Sequence, residues 1–308
     1  MKPAVTVVIP TFNRLDSLPE VLAALAEQAR GSSVEVLVVD DGSTDGTEEW
    51  LASYQGELEL RVESQENRGP AVARNRGVRA ANAEWVAFLG DDTVPCPGWL
   101  ERLQQAVLGR SEAPYHAVIG RTEWHPKMKV TPFLAHINEF GAQFGYALIE
   151  NAEDLPFNFF YTSNLLVHRE RLREEPFDEG FPYPAWEDTE LSFRLKERGL
   201  RICYEKTAKV LHNHPTDLVR FCARQEMAGF SAVVFYQRHP EQGPMLGLGA
   251  TGPPPMLGLG WRCLEVVARA LQGFPVAMPT VWDEVLRGHY IRGLHRGWRH
   301  LGPVGPRS

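Results

Sequence analysis

WVAFLGDDTVP, residues 85–95, carries five apolar residues into a glycine and then sets two aspartates side by side. The apolar run has the length and composition of a buried strand. Neighbouring carboxylates repel, so a chain that brings Asp91 and Asp92 together at a strand end must compensate them there. The same device stands upstream. VVDDGSTDGT (38–47) puts Asp40 and Asp41 at the end of VEVLVVD (34–40), a second buried run. One such pair reads as solvated turn residues. Two pairs at neighbouring strand ends read as a site.

Strand and helix alternate outward from these pairs. AVTVVIP (4–10) is a β-branched run stopped by Pro10. Ser17 and Glu20 stand at capping-box spacing ahead of Leu18, Val21, Leu22 and Leu25, and Gly31 closes that helix. Asp45 and Glu48 repeat the spacing before a helix through Trp50, Leu51 and Tyr54. LELRVES (58–64) is a third strand, GPAVARNRGVRAANA (69–83) an amphipathic helix and EWVAFLG (84–90) the fourth strand. This alternation predicts an α/β fold, a mostly parallel sheet flanked by helices. Ligands of such sheets bind beyond the carboxyl ends of the strands, so Pro10–Asn13, Asp40–Gly42 and Gly90–Asp92 are expected on one rim.

The second half is less regular. HAVIGRTEW (116–124) and NFFYTSNLLVHRE (158–170) read as strands, and WEDTELSFRLKERG (186–199) as a helix ended by Gly199. RICYEKTAKVLHNHP (201–215) reads as a strand pair ending in histidines, and residues 217–241 as a helix. PMLGLG occurs at 244–249 and again at 255–260, which marks a Gly/Pro-rich linker over 243–260. Short helices are expected at 261–272 and 280–298.

The 308 residues hold one large domain or two small ones, and 44% hydrophobic with 23% charged residues can build an ordinary core. A net charge of −7 argues against a general nucleic-acid binder. Cys96, Cys203, Cys222 and Cys263 form no C-x-x-C pair, which argues against a zinc knuckle and for reduced thiols in the cytoplasm. The N-terminal apolar run is too short for a signal peptide, and no run of about 18 apolar residues predicts a membrane span. PTFNRLDS stands where a dinucleotide-binding strand would turn through G-x-G-x-x-G, and no G-x-x-x-x-G-K-[ST] occurs. A phospho-receiver domain is far shorter. What remains is a rim of acids for a metal-chelated diphosphate, or for the base and ribose of a nucleotide.

VTVVIPTFNRLDSLPEVLAAL (5–25), VEVLVVDDGSTDGT (34–47), ENRGPAVARNRGVRAANAEWVAFLGDD (66–92) and WEDTELSFRLKERG (186–199), in that order, resemble a family 2 glycosyltransferase of the GT-A fold. The resemblance covers residues 4–215. It implies a catalytic domain over 1–215, with a donor-binding half at 1–110 and an acceptor half at 111–215, followed by a helical extension at 216–308. It implies that Asp41 accepts a hydrogen bond from the nucleotide base, with Pro10 and Phe12 against that base. It places Asp91 on the ribose or sugar and makes Asp92 a ligand of Mg2+ or Mn2+. His212 matches a late histidine ligand, with His214 the competing choice. Asp188 matches the general base of inverting members. The family often reads Asp-x-Asp where this chain has Gly90-Asp91-Asp92.

The expected activity is metal-assisted transfer of a sugar from a nucleotide-sugar donor to a hydroxyl on a glycan, a lipid-linked or a small-molecule acceptor, with inversion. A retaining enzyme of the same fold and a module that only binds nucleotide-sugar or glycan are the alternatives. Arg74 on the third helix is a candidate for the donor phosphates, against a solvated helix face. Trp186 is a candidate sugar platform, against a core tryptophan. Phe221, Phe230, Val234 and Phe235 beside Arg220, Arg224 and Arg238 leave open a peripheral contact with the inner face of a membrane, against ordinary packing. The tail is also a candidate oligomer contact.

Overall fold

The computed structural model describes residues 3–30, 33–108, 116–272, 274 and 276–302. Gly31, expected to close the first helix, lies outside them. In chain order come β1 (Val5–Thr11), α1 (Leu18–Ala29), β2 (Val34–Asp40), α2 (Thr47–Ala52), β3 (Leu60–Ser64), α3 (Pro70–Ala80) and β4 (Trp85–Leu89). Then follow β5 (Thr93–Pro95), α4 (Trp99–Leu108), β6 (Ala117–Trp124), α5 (Pro132–Glu139), β7 (Asn164–His168), α6 (Arg169–Glu174), α7 (Glu187–Glu197) and β8 (Ile202–His212). The tail holds α8 (Leu218–Arg238), α9 (Gly243–Leu246), α10 (Leu259–Leu271) and α11 (Pro279–Leu301). Residues 1–128, 149–179 and 188–214 form one compact unit; residues 129–148, 180–187 and 215–308 form a second. Two segments inside 1–215, 129–148 and 180–187, thus group with the tail.

The first unit carries an eight-stranded sheet in the order β3-β2-β1-β4-β7-β6-β8-β5. Strands β1 to β4 are mutually parallel, as the alternation predicts. The other half is mixed: β7 runs antiparallel to β4 and β6, β8 parallel to β6, and β5 antiparallel to β8. Val7, Val8 and Ile9 of the central β1 are wholly buried, because helices cover both faces of a parallel sheet. Leu18, Val21, Leu22 and Leu25 of α1 form the predicted buried stripe.

Several expectations are corrected. Ser17 holds the N-cap position of α1 but its side chain makes no cap bond, and Glu20 pairs with Lys127 at 2.9 Å. Gly46, not Asp45, precedes α2; the Asp45 carboxylate accepts from the N–H groups of Thr47 and Leu15, each at 3.1 Å. Neither expected capping box forms: Glu20 turns to Lys127, and Asp45 divides its carboxylate between Leu15 and Thr47, the first residue of α2. In the segment 158–170 only Asn164–His168 is strand, between a helical turn at Phe157–Phe159 and α6. The strand pair expected over 201–215 is one strand, β8. Its pairing with β6 jumps from Gly120↔Glu205 to Arg121↔Lys209, so residues 206–208 bulge. A Cβ on Gly120 would lie 2.2 Å from the Ala208 carbonyl oxygen. Asn164 fixes the bulge by donating to the carbonyls of Ala208 (3.0 Å) and Arg121 (3.1 Å) while accepting from Trp99 Nε1 (2.7 Å).

The second unit is built on α8 and α11. Cβ atoms on Gly229 and Gly293 would fall 2.0 Å from the Tyr290 carbonyl oxygen and 2.1 Å from that of Glu226, so the two helices meet backbone to backbone. Phe221, Phe230, Val234 and Phe235 are buried, as ordinary packing of α8 requires. His289 of α11 touches the carboxylates of Glu226 on α8 (2.6 Å) and Glu265 on α10 (3.1 Å). The stretch 243–260 is not a free linker, since it contains α9 and buries Leu246 and Leu248. Trp186 packs on Phe235 (6.1 Å between ring centres) and Tyr290 (6.5 Å), the contacts of a packed tryptophan. Among the described residues no helix is long and apolar enough to cross a membrane. All four cysteines are free.

Candidate active site

Strands β1, β2 and β4 end at Thr11, Asp40 and Leu89, so the loops carrying Phe12, Asp41 and Asp91 leave one edge of the sheet. β2 and β4 flank β1 and therefore stand about 10 Å apart, two strand spacings. Pro10 lies one residue before the end of β1, and the ring of Phe12 is 45% exposed just beyond it.

Asp41 is buried and anchored. Its carboxylate accepts from Gln65 Nε2 (2.8 Å) and from the backbone N–H groups of Arg68 (2.9 Å) and Gly69 (2.8 Å), at the entry to α3. A carboxylate has about four lone-pair sites, so three protein donors leave one. Asp40 is buried too, and accepts from the Ser43 hydroxyl.

Asp92 reaches β8 although three strand spacings separate β8 from β4. After Gly90 the chain crosses into β5, which pairs with β8 through Thr93↔His212. Asn213 N–H donates to the Asp92 carbonyl at 2.8 Å. His212 Nε2 then lies 3.5 Å from Asp92 Oδ1, and His214 Nδ1 lies 3.0 Å from Asp92 Oδ2. Both histidines therefore face the same carboxylate. Their rings stack at 5.5 Å, and Trp124 stacks on His212 at 5.3 Å. The sequence carried this signal: residues 212 and 214 share a face of an extended chain. Burial pushes Asp92 up, but His212 and His214 outweigh it and hold the carboxyl well below its ordinary range. Burial, then the Asp92 charge, push Asp91 up to about 7 against the pull of the Arg14 guanidinium.

Gly90 has a steric reason. A Cβ there would lie 3.0 Å from Thr93 Oγ1 and 3.3 Å from Asp92 Oδ1, so a side chain at this position fits only if those two side chains shift by a few tenths of an ångström.

Arg14 was not anticipated. It follows Asn13 in PTFNR, and its Nη2 lies 3.3 Å from His214 Nδ1 and 3.7 Å from Asp92 Oδ2, with Nε 3.6 Å from Asp91 Oδ1. No periodicity in a loop marks such a residue; its course depends on Asn13, whose φ is +55°.

Arg74 lies over the Phe177 ring at 5.6 Å, Asn75 bonds the backbone of Phe177, and Arg76 pairs with Glu63 at 2.8 Å. That polar helix face is in part structural. Asp188 is the second residue of α7 and accepts from Thr189 N–H at 2.8 Å. Nearby Glu190 is held by Arg194 at 2.8 Å and is buried, whereas Asp188 is only half-buried. Trp186, just before α7, has a φ of +73°, a strained value for an aromatic residue.

Asp92, His212 and His214 offer ligand atoms within 4.8 Å of one another, the only such group among the described residues. One carboxylate with two imidazoles suits a divalent ion. A conflict at His214 fits the same group. Its Nδ1 cannot donate to Asp92 and accept from Arg14 at once. A lone pair turned toward a carboxylate is satisfied by a cation between them.

The profile described as Glycosyl transferase family 2 matches residues 6–175. The pre-mycofactocin glycosyltransferase of Mycobacterium tuberculosis is 31% identical over 251 residues, 77% of this chain and 48% of its own length. The validoxylamine A glucosyltransferase of Streptomyces hygroscopicus subsp. jinggangensis is 31% identical over 223 residues, 64% of this chain and 52% of its own. The chain thus spans about half the length of these curated relatives. Among solved structures, a mannosyltransferase from Pyrobaculum calidifontis in complex with GDP-Man and Mn2+ superposes with a TM-score of 0.63. It shares 19% identity and covers 96% of this chain and 87% of its own, a likeness of GT-A fold.

Proposed function

This chain belongs to glycosyl transferase family 2, and on that premise we propose that it moves a sugar from a nucleoside-diphosphate donor to an acceptor hydroxyl. The observation that carries the reading is the Asp92–His212–His214 ligand set, together with the anchored carboxylate of Asp41 at the end of β2.

Asp41 has one acceptor site left for a donor group of the base, and Pro10 and the exposed ring of Phe12 would line that base. Asp91 would meet the ribose or the sugar. Asp92, His212 and His214 would hold Mg2+ or Mn2+, and two imidazoles favour Mn2+, since Mg2+ prefers oxygen ligands. A divalent ion bound there supplies positive charge against the departing diphosphate. Arg74 remains a candidate for the phosphates on condition that it leaves Phe177.

Asp188 would take the proton of the acceptor hydroxyl as it attacks. α7 joins β8 through only residues 198–201, so Asp188 stands at the end of α7 remote from that junction. The strained φ of Trp186 supports a functional role for this turn, because strain of this kind gathers at active sites. A base acting on the acceptor in a single displacement gives inversion.

The test is nucleoside-diphosphate release from a panel headed by glucosyl and mannosyl donors, the sugars named for two of the similar proteins. EDTA is expected to abolish turnover, with Mn2+ restoring more than Mg2+. Asp92→Asn and Asp188→Asn are each expected to lower kcat/KM by about 100-fold or more. NMR of the product is expected to show the inverted anomer. Equal turnover in EDTA and in both variants would defeat the reading.

A further inference from the structure

We infer that Arg14 is a resident counter-cation of the metal centre: it neutralises Asp91 and Asp92 while the centre holds no ion, and moves onto the diphosphate when ion and nucleotide bind. The inference rests on the metal reading above and extends it to a residue that reading does not use.

Arg14 stands against two residues of the ligand group. Its Nη2 lies against His214 Nδ1 and Asp92 Oδ2, both of them atoms able to ligate an ion. A guanidinium keeps its proton under all ordinary conditions, so it cannot stay there by losing charge. At the present separations, 3.3 and 3.7 Å from those ligand atoms, it would repel a doubly charged ion by many times thermal energy even at a protein surface. Arg14 must therefore leave as the ion enters.

The loop allows only the side chain to do so. Asn13 N–H donates to Ser43 Oγ (2.9 Å), and Asn13 Oδ1 accepts from Thr44 N–H (2.7 Å). Leu15 N–H donates to Asp45 Oδ2 (3.1 Å), and the Arg14 carbonyl accepts from Leu18 N–H (2.9 Å). The backbone is thus pinned on both sides of residue 14. The side chain is about one-third exposed and held by contacts of 3.3–3.7 Å, which are long for ion pairs. A diphosphate ligated to the ion brings new negative charge within reach of the same arm, and the planar fork of Arg suits phosphate oxygens.

The consequence is coupling. The ion alone must displace a bound charge without replacing its partner, so it binds weakly. Ion and nucleotide together give Arg14 a better partner, so each tightens the other. Asp91 and Asp92 are then never left facing each other uncompensated.

Mn2+ binding is read by the electron-paramagnetic-resonance signal of the free ion, without donor and without turnover. UDP and GDP binding at saturating Mn2+ is read by calorimetry. Arg14→Gln is expected to bind Mn2+ alone about tenfold more tightly, and the nucleotide about tenfold more weakly, than wild type. Arg14→Lys, which keeps the charge and loses the fork, is expected to bind Mn2+ alone as weakly as wild type. Damage to the loop would weaken both affinities, so the opposite signs identify the role. Unchanged or weaker Mn2+ binding in a folded Arg14→Gln protein overturns the inference while leaving the metal site standing. Mn2+ binding that is absent in wild type, with or without nucleotide, or unaffected by Asp92→Asn, overturns the metal reading and this inference with it.

Discussion

Asp41 serves the fold before it serves any ligand. Two backbone N–H groups at the entry to α3 and one side-chain amide converge on it, and the residue is buried. Asp41→Asn keeps the shape but turns an N–H2 toward at least one of those donors. It is expected to lower unfolding stability by about 2–3 kcal/mol, the scale of a lost charge-assisted bond with an unsatisfied buried partner, measurable by urea denaturation without nucleotide. The cysteines separate on similar grounds. Cys222 is buried, and burial pushes its thiol up to about 12, whereas Cys263 is exposed. A thiol reagent at pH 8 is expected to modify Cys263 and to spare Cys222 until the protein unfolds, with the order read by mass spectrometry. Asp41, Asp91 and Asp92 could be picked out from the chain because paired acids after apolar runs are unusual. The equivalence of His212 and His214 was there to be read in their spacing. Arg14 was not, because where a loop side chain reaches is decided by contacts from elsewhere in the chain.

The strands divide in the same way. β1 to β4 were plain because each is a buried parallel strand and spells itself as an apolar run with a helix after it. β8 was misread as a pair because the bulge at 206–208 interrupts its alternation with Lys and Thr. β5 is three residues long and has no local signal; it exists because β8 offers it an edge. The proposed metal ligands depend on this least legible part of the sheet. Asn164, which ties β7, β6 and the bulge of β8 together and satisfies buried Trp99, is therefore the element-level control. Asn164→Ala is expected to cost about 3 kcal/mol, since it orphans a buried indole N–H and two carbonyls. It is also expected to weaken Mn2+ binding although it touches no ligand directly, a change that Mn2+ titration of the folded variant checks.

At the scale of the whole molecule, the tail is a packed unit with buried apolar residues of its own. Its helices were visible from their length, but their mode of packing was not, because Gly229 and Gly293 read as weak points of helices until they are seen to face one another's backbones. Gly293→Ala puts a methyl group where the Glu226 carbonyl already is. The expected loss is about 3 kcal/mol, at the upper end for overpacking because backbone cannot step aside, followed by near-ultraviolet circular dichroism from Trp261, Trp282 and Trp298.

That close contact also imposes a schedule on biosynthesis. α8 is finished at Arg238, but its cover is not complete until Leu301. At ordinary translation speeds residues 239–301 take roughly 3–13 s to add, so Phe230 and Val233, which α11 later meets through His300 and Gly297, wait that long for their cover. A nascent chain paused in this window presents a sticky helix on the ribosome, which makes residues 239–301 the interval in which chaperone capture is most needed.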